Sequence, residues 1–357
     1  MMLRQSLHRT LIKARHVAAA LVCACAVASC NGFIYEDEGD CAPKFRVKFR
    51  YDKNLKRADA FANEVNAVNL YVIDSQGRVV HRHTESGERL KADGYEIVLD
   101  GKVAPGNYRL LAWCGDGAVD GNHSFRVEGS ERLEELSCRL IGDHALAGRP
   151  VGGETTPGGF HSTRDLQRLY HHLTDPVVFP DEEGYHYYTL PLVKDTNAVR
   201  IVLQNLSGTP IDDKMFDFTI TTSNGRMNYD NELLPHEPVV YHAWEIGGGS
   251  AVITGQYGSP GVYSALIADL TMGRLVEGED VRLDITRKDT GKNVFSAPLI
   301  DLALMFKRSY YGDLTNQQYL DYQDEYNFTF FLDENKDWAV TDIYIEDWHV
   351  VLNNPDI

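Results

Sequence analysis

The sequence predicts an all-β chain: two β-sandwich domains in tandem, with a loop-rich insertion carrying a short helix. Three observations predict it. The chain holds 19 Tyr and 14 Phe among 357 residues, and aromatic side chains suit strands more than helices. Short runs alternate apolar with polar residues, the period of a half-buried strand. Clusters of Gly, Pro, Asn and Asp punctuate these runs at the spacing of a sandwich.

The elements begin with an address. Residues 1–16 carry Arg4, Arg9, Lys13 and Arg15 and no acidic side chain, and an apolar run from Val17 ends in Val27-Ala28-Ser29-Cys30. A basic head, a short apolar stretch and small residues read as a secretory signal. The stretch falls short of the ~20 residues a membrane-spanning helix needs. A Cys directly after small residues resembles a bacterial lipobox, with Val27 where Leu is usual. That resemblance implies lipidation of Cys30 and removal of residues 1–29. The next segment, 30–43, contains Glu36, Asp37, Glu38 and Asp40. It buries little apolar surface and is expected to act as an acidic tether. It also resembles the acidic surface-export tag of Bacteroidales lipoproteins.

Charge narrows the partners. The full chain has 35 basic and 52 acidic residues, a net of −17. Loss of residues 1–29 removes four bases and no acids, which takes the net to −21. Such a chain is unsuited to nucleic acid, whose phosphates demand Lys and Arg, and equally to peripheral docking on anionic lipid. The lipid anchor has to supply membrane attachment. Three cysteines remain after Cys30, namely Cys41, Cys114 and Cys138. They allow at most one internal disulfide, in any of three pairings. Their spacing does not fit zinc.

The first domain is expected over 44–186. Phe45 to Tyr51 alternates apolar and basic residues. Val65 to Ile73 is a second strand, followed by a turn at Asp74-Ser75-Gln76-Gly77 and a third strand from Arg78. Tyr95 to Leu99 alternates again. The turn Ala104-Pro105-Gly106-Asn107 leads into Tyr108–Trp113, an apolar strand expected to be buried. Residues 115–185 form the insertion, with a Gly-rich loop over 148–159. Its helix is read over Thr163 to Leu173, where Leu166, Leu169, Tyr170 and Leu173 share a helical face.

The second domain is expected over 187–357. Strands are read at 187–192, 197–203 and 216–221, with a hairpin signal at Ser223-Asn224-Gly225-Arg226. Further strands follow at 263–270, 281–285, 293–299 and 327–332. After a turn at 333–336, residues 338–351 read as one bulged final strand.

No catalytic signature is present: no G-x-S-x-G elbow, P-loop, G-x-G-x-x-G or H-E-x-x-H. No cofactor or metal site is expected. His171 and His172 are adjacent and cannot share a helix face, so they make a poor metal pair. Asp333-x-Asn335-x-Asp337 resembles the start of a calcium loop, but Trp338 stands where Gly is required and Tyr344 where Glu is. Chance carboxylate pairs abound in so acidic a chain. His236, His242 and Trp244 are candidates for a surface site. Tyr185, Tyr187, Tyr188, Tyr310 and Tyr311 are candidates for sugar contacts.

Several blocks together carry a resemblance. Cys30 is followed by Ile34-Tyr35-Glu36-Asp37, Asp40-Cys41 and the strand Val47 to Asp52. Ala58 to Val65 leads into Leu70 to Asp74. Pro105-Gly106-Asn107-Tyr108 and Leu111-Ala112-Trp113 follow, then Leu169-Tyr170-His171-His172 and Ile345-Glu346-Asp347-Trp348. These resemble the FimB-like family of fimbrial anchor and assembly-regulator lipoproteins of Bacteroidales, with His172 where that family usually has Gly. The resemblance implies transthyretin-like sandwiches and a non-catalytic role. It also implies partners: a fimbrillin, accessory fimbrial subunits and the outer membrane. The protein would sit at the base of a fimbria, anchor it and limit its length, with assembly resembling strand addition. The other reading is a surface lipoprotein that binds glycan or a host ligand through a sandwich.

Overall fold

In a computed structural model the described residues are 42–116, 124–143, 160–205, 209–235, 237–253, 261–332, 338–345 and 348–351. Lys44–Asp181 with Tyr185–Ile357 forms one compact unit holding two hydrophobic cores.

The first half supplies twelve strands: β1 (Pro43–Arg50), β2 (Ala67–Asp74), β3 (Val79–Ser86), β4 (Ile97–Val98), β5 (Gly106–Gly115), β6 (Phe125–Glu128), β7 (Ser137–Leu140), β8 (Phe160–Ser162), β9 (Leu169–Leu173), β10 (Val177–Phe179), β11 (Gly184–Pro191) and β12 (Val193–Lys194). A small sheet ordered β11-β1-β4 faces a larger one ordered β12-β9-β5-β2-β3, with β10 paired to β5. Phe45, Val47 and Phe49 on β1 meet Val68, Leu70 and Val72 on β2 and Leu110 and Ala112 on β5.

The larger sheet is covered on its other face too. Tyr71 and Ile73 of β2 and Leu111 and Trp113 of β5 point into the second core. Seven consecutive residues of β2 and the last six of β5 are therefore buried. Double coverage explains why these strands read as nearly continuous apolar runs. Gly115 ends β5 against the backbone that leads into β9, and a Cβ there would lie 2.0 Å from the Arg168 carbonyl oxygen.

The second half adds β13 (Thr196–Asn205), β14 (Phe216–Thr222), β15 (Arg226–Asn228), β16 (Val239–His242), β17 (Glu245–Ile253), β18 (Gly261–Gly273), β19 (Arg282–Arg287), β20 (Asn293–Pro298), β21 (Glu325–Leu332), β22 (Trp338–Ile345) and β23 (Trp348–Val351). A sheet ordered β17-β18-β13-β21-β22-β23 packs on one ordered β20-β19-β14-β16-β8. Alternation sets the core: Val199, Ile201 and Leu203 of β13 meet Phe216, Phe218 and Ile220 of β14 and Phe328 and Phe330 of β21. A third sheet, β15-β7-β6, joins the two halves. Strand membership thus crosses residue 186 both ways, since β8 joins the second sandwich and β11, most of which lies beyond 186, joins the first.

Four expectations are corrected. Leu169–Leu173 is not helix but β9, paired with β5 and β12. Leu169 enters one core and Tyr170 the other, so a stripe that fits a helix also fits a strand buried on both faces. The 223–226 turn makes no hairpin. β14 pairs with β16 and β19, whereas β15 leaves to pair with β7. Residues 338–351 form two antiparallel strands, β22 and β23, instead of one. The strand expected over Tyr95–Leu99 contracts to Ile97–Val98. The helices lie elsewhere. Phe61–Glu64 is one turn, Leu299–Tyr310 buries Leu299, Ile300, Leu302 and Ala303, and Asn316–Tyr322 starts with a Thr315–Gln318 capping box.

Candidate partner groove

The outer face of the β17-β18-β13 sheet carries a groove whose floor is set by glycine. Register places Gly247 beside Ile267 and Gly249 beside Ala265. Across β18, Ile267 faces Val202 and Ala265 faces Gln204. With no side chains on the glycines, a cavity of about 560 Å³ opens over this floor. Ile267 stands in it 39% exposed. β17 lies at the edge of its sheet and pairs only with β18 among the described strands.

One row further along, the floor turns charged. Glu245 opposes Asp269, which opposes Arg200. Arg200 holds Asp269 through Nε at 2.7 Å and Nη2 at 3.0 Å. That hydrogen-bonded carboxylate, with Glu245 and Glu325 nearby, raises the guanidinium pKa. Glu245 is exposed and has no ion-pair partner among the described residues. A second cavity of about 390 Å³ shares Arg200, Glu245 and Asp269 with the first and is walled by Trp244. The indole is fixed: Trp244 Nε1 donates to Thr271 Oγ1 at 3.1 Å, and Thr271 Oγ1 donates to Asp165 Oδ1 at 2.6 Å.

The groove runs on into a third cavity of about 810 Å³ that shares Asp165, Thr271 and Glu325 with the second. Lys194 is its centre, with Nζ at 2.6 Å from Asp324 Oδ2 and 3.4 Å from Glu64 Oε2. The Tyr170 hydroxyl donates to Glu64 at 2.7 Å. Burial first, then Glu64, pushes the Tyr170 pKa far up, so the phenol stays protonated. Eight carboxylates and four cations line the three cavities together, a net of −4.

The residues singled out in the sequence are scattered. Cys30, Cys41, His236 and the Asp333–Asp337 stretch lie outside the described residues. Cys114 and Cys138 are free, buried thiols, and burial pushes both pKa values up. His171 is buried, and its Nε2–H donates to the Tyr229 carbonyl at 2.9 Å. Burial lowers His171 to about 3 and His172 to about 4. His242 meets His161 at 3.0 Å between ring nitrogens. Of the tyrosines, Tyr185 and Tyr187 are exposed on β11 with rings stacked at 6.3 Å. Tyr188 instead packs on Phe179, and Tyr311 packs on Phe306 and Tyr319. Among the described residues no three His, Cys, Asp or Glu side chains are placed to hold a metal ion, and no helix is long and apolar enough to cross a membrane.

Sequence reasoning picked out Trp244 but missed the groove. The one signal was Gly247-Gly248-Gly249. A glycine run inside a strand marks a close approach or an open surface.

Known proteins share this architecture. An adhesin candidate from Bacteroides thetaiotaomicron VPI-5482 has a crystal structure matching with a TM-score of 0.74 at 30% identity, over 87% of this chain and 99% of that one. The minor fimbrium anchoring subunit Mfa2 of Porphyromonas gingivalis is 21% identical over 285 residues, 78% of this chain and 76% of that protein. A solved structure of the fimbrial anchor protein Mfa2 from Porphyromonas gingivalis has the same fold, with a TM-score of 0.59 at 17% identity over 87% of this chain and 99% of that one. A partial match, 27% over 124 residues, links the chain to an ATP-dependent 6-phosphofructokinase of Sulfurovum sp.. It spans 33% of this chain and 37% of that enzyme and assigns no activity. The family model described as fimbrillin-A associated anchor proteins Mfa1 and Mfa2 matches residues 37–354. The chain belongs to that family of fimbrial anchors.

Proposed function

We propose that this protein is a surface lipoprotein, acylated at Cys30, that holds the base of a fimbria at the outer membrane and regulates its assembly and length. Fimbrial anchoring is the role of its family; the lipid, the membrane and the control of length are this reading's own. The observation that carries it is the family match across 37–354 behind an N-terminus patterned as a lipoprotein signal. A fibre base needs an attachment to the envelope and a surface for the next subunit, with no chemistry between them. The acyl group on Cys30 supplies the first and the sandwiches supply the second.

The test is Cys30→Ala in the native bacterium, followed by envelope fractionation and electron microscopy. The expected result is protein in the soluble fraction and fibres shed into the medium. Retention in the envelope with fibres attached would overturn lipid anchoring. Deletion of the whole gene is expected to give fibres that are longer and detached.

One observation favours a second reading. Tyr185 and Tyr187 are 57% and 53% exposed, their rings are nearly parallel at 17°, and Lys48 Nζ sits 4.4 Å from the Tyr187 ring centre. A flat pair of exposed rings is a stacking platform for a glycan. Polysaccharide binding lost on replacing both tyrosines with Ala, in a protein that retains no fimbrial subunit, would favour it.

A further inference from the structure

We infer that the groove over β17, β18 and β13 receives an extended segment of a fimbrial subunit, with a bulky apolar side chain over Gly247 and Gly249 and a Lys or Arg between Trp244 and Glu245. The inference rests on the anchor reading for the partner's identity, and on the geometry alone for its chemistry.

Three features select that chemistry. The floor is bare backbone and small side chains next to half-exposed Ile267. Bare glycine in a strand is stabilised by an aromatic or aliphatic side chain laid across it. Among the described residues no side chain of this sheet supplies one, and Cβ positions built on Gly247 and Gly249 meet nothing within 4 Å. Next along the groove stands the Trp244 indole, 37% exposed and held by Thr271. It borders a cavity also lined by Glu245, Asp165 and Asp269. An aromatic face beside carboxylates is a seat for a cation. Arg200 hydrogen-bonds Asp269 and acts on Glu245 only through its charge at longer range, so Glu245 makes no hydrogen bond or close ion pair among the described residues. Finally, the continuous groove is net negative, so it complements a basic segment and repels an acidic one.

A free metal ion fits less well, since no three ligating side chains converge among the described residues. A neutral glycan would not use the charge. An extended peptide uses all three features, because side chains on one face of a strand repeat about every 7 Å.

The glycine floor allows a test that does not endanger folding. Neither Gly247 nor Gly249 has a positive φ, and both have open space above them. The double variant Gly247→Val/Gly249→Val should therefore fill the groove while keeping the melting temperature at or above that of the parent. The full chain is purified from the native bacterium, and the major fimbrial subunit that co-purifies is quantified. We expect at least a tenfold loss of bound subunit in the valine variant and in Glu245→Lys. A smaller loss is expected in Trp244→Phe and in Glu245→Gln. Added salt should weaken the parent complex. Subunit retention within twofold of the parent in both the valine and Glu245→Lys variants overturns the groove while leaving the anchor reading intact. Absence of subunit on the parent protein overturns the anchor reading and this partner with it. Loss of binding to a purified polysaccharide, with subunit retention unchanged, would also overturn it in favour of a glycan.

Discussion

Asn231 Nδ2 donates to Asp195 Oδ1 at 2.7 Å, and two acceptors on the same pair, the second carboxylate oxygen Asp195 Oδ2 and the amide oxygen Asn231 Oδ1, are buried without a partner among the described residues. Asp195 is 0% exposed at the crossing from β12 into β13. Arg274 is 3.9 Å away but is engaged by Asp321 at 2.8 Å and by the Asn231 carbonyl at 2.6 Å. Two orphaned acceptors on partners that already share a hydrogen bond are relieved together by one proton. A proton on Oδ2 makes that oxygen a donor, and the unmet Asn231 Oδ1 belongs to the residue Asp195 already bonds.

Burial, opposed by Arg274 and the Asn231 bond, raises Asp195 to about 7 from its usual 3.8. The folded state therefore holds a proton between about pH 4 and 7 that the unfolded chain has lost. Its contribution is complete below about pH 4 and is lost as pH rises through about 7. At ~1.4 kcal/mol per unit the effect is on the order of a few kcal/mol. Asp195→Asn keeps the pairing geometry and removes the proton. Urea unfolding of this variant should show no loss from this group between pH 4 and 7 and greater stability than the parent at pH 8. Greater parent stability at pH 8 would refute the pairing.

His171 acts in the opposite sense. It is neutral in the fold because burial holds it near 3, while in the unfolded chain it titrates near 6.5. Its contribution is complete above pH 6.5 and is lost as pH falls toward 3. Between pH 4 and 6.5 the parent's profile sets Asp195 against His171 and His172, which burial also lowers, to about 4. Relative to the parent, the profile of His171→Gln should tilt toward loss with rising pH in that window, and that of Asp195→Asn toward gain. Parallel profiles for the two variants would contradict this assignment.

Trp113 is 1% exposed, edge-on to Tyr71 at 6.0 Å and 5.6 Å from the His171 ring. Trp113→Ala removes the largest side chain between the central sheet and the second core. Chemical denaturation should register a loss of about 3–5 kcal/mol. A loss below about 1 kcal/mol would mean that this site is not packed.

Two glycines in strands should respond oppositely. A Cβ on Gly115 would meet the Arg168 carbonyl oxygen and carbon at 2.0 and 3.0 Å, both backbone atoms that cannot swing aside. Gly115→Ala should cost about 1–3 kcal/mol or more through forced backbone shifts. Gly247→Ala should be neutral or stabilising by up to ~1 kcal/mol, because open space surrounds it and Ala loses less entropy on folding. Thermal unfolding of the pair checks both, and equal destabilisation would sink the distinction.

Legibility followed the range of the forces involved. β1, β2, β5, β13, β14, β18 and β21 were readable because each carries its own period-two alternation or a dense apolar run. β9 reads as a helix because its apolar residues answer to two different cores, one holding Trp113 and the other Phe45, far away in the chain. The Ser223–Arg226 turn is legible as a turn, but β15 after it pairs with β7, Met227 opposite Cys138, which no local pattern encodes. The Leu299–Tyr310 helix was hidden behind the strand it follows. Of the groove, Trp244 was legible as a candidate. Gly247, Ile267 and Arg200 were not, because register across three strands brings them together.

The amino-acid order by itself determined the strand-rich class, the basic–apolar–Cys30 pattern at the N-terminus, the acidic excess and the lack of catalytic motifs, since each is a matter of composition or short spacing. Only the tertiary structure decided which strands exchange between the sandwiches, which carboxylate is buried beside Asn231, and where a bare glycine floor meets a fixed indole. Those outcomes depend on strand pairing and on burial from both sides, and both are set by residues far beyond a local window, 27 positions apart for Trp244 and Thr271 and 36 for Asp195 and Asn231.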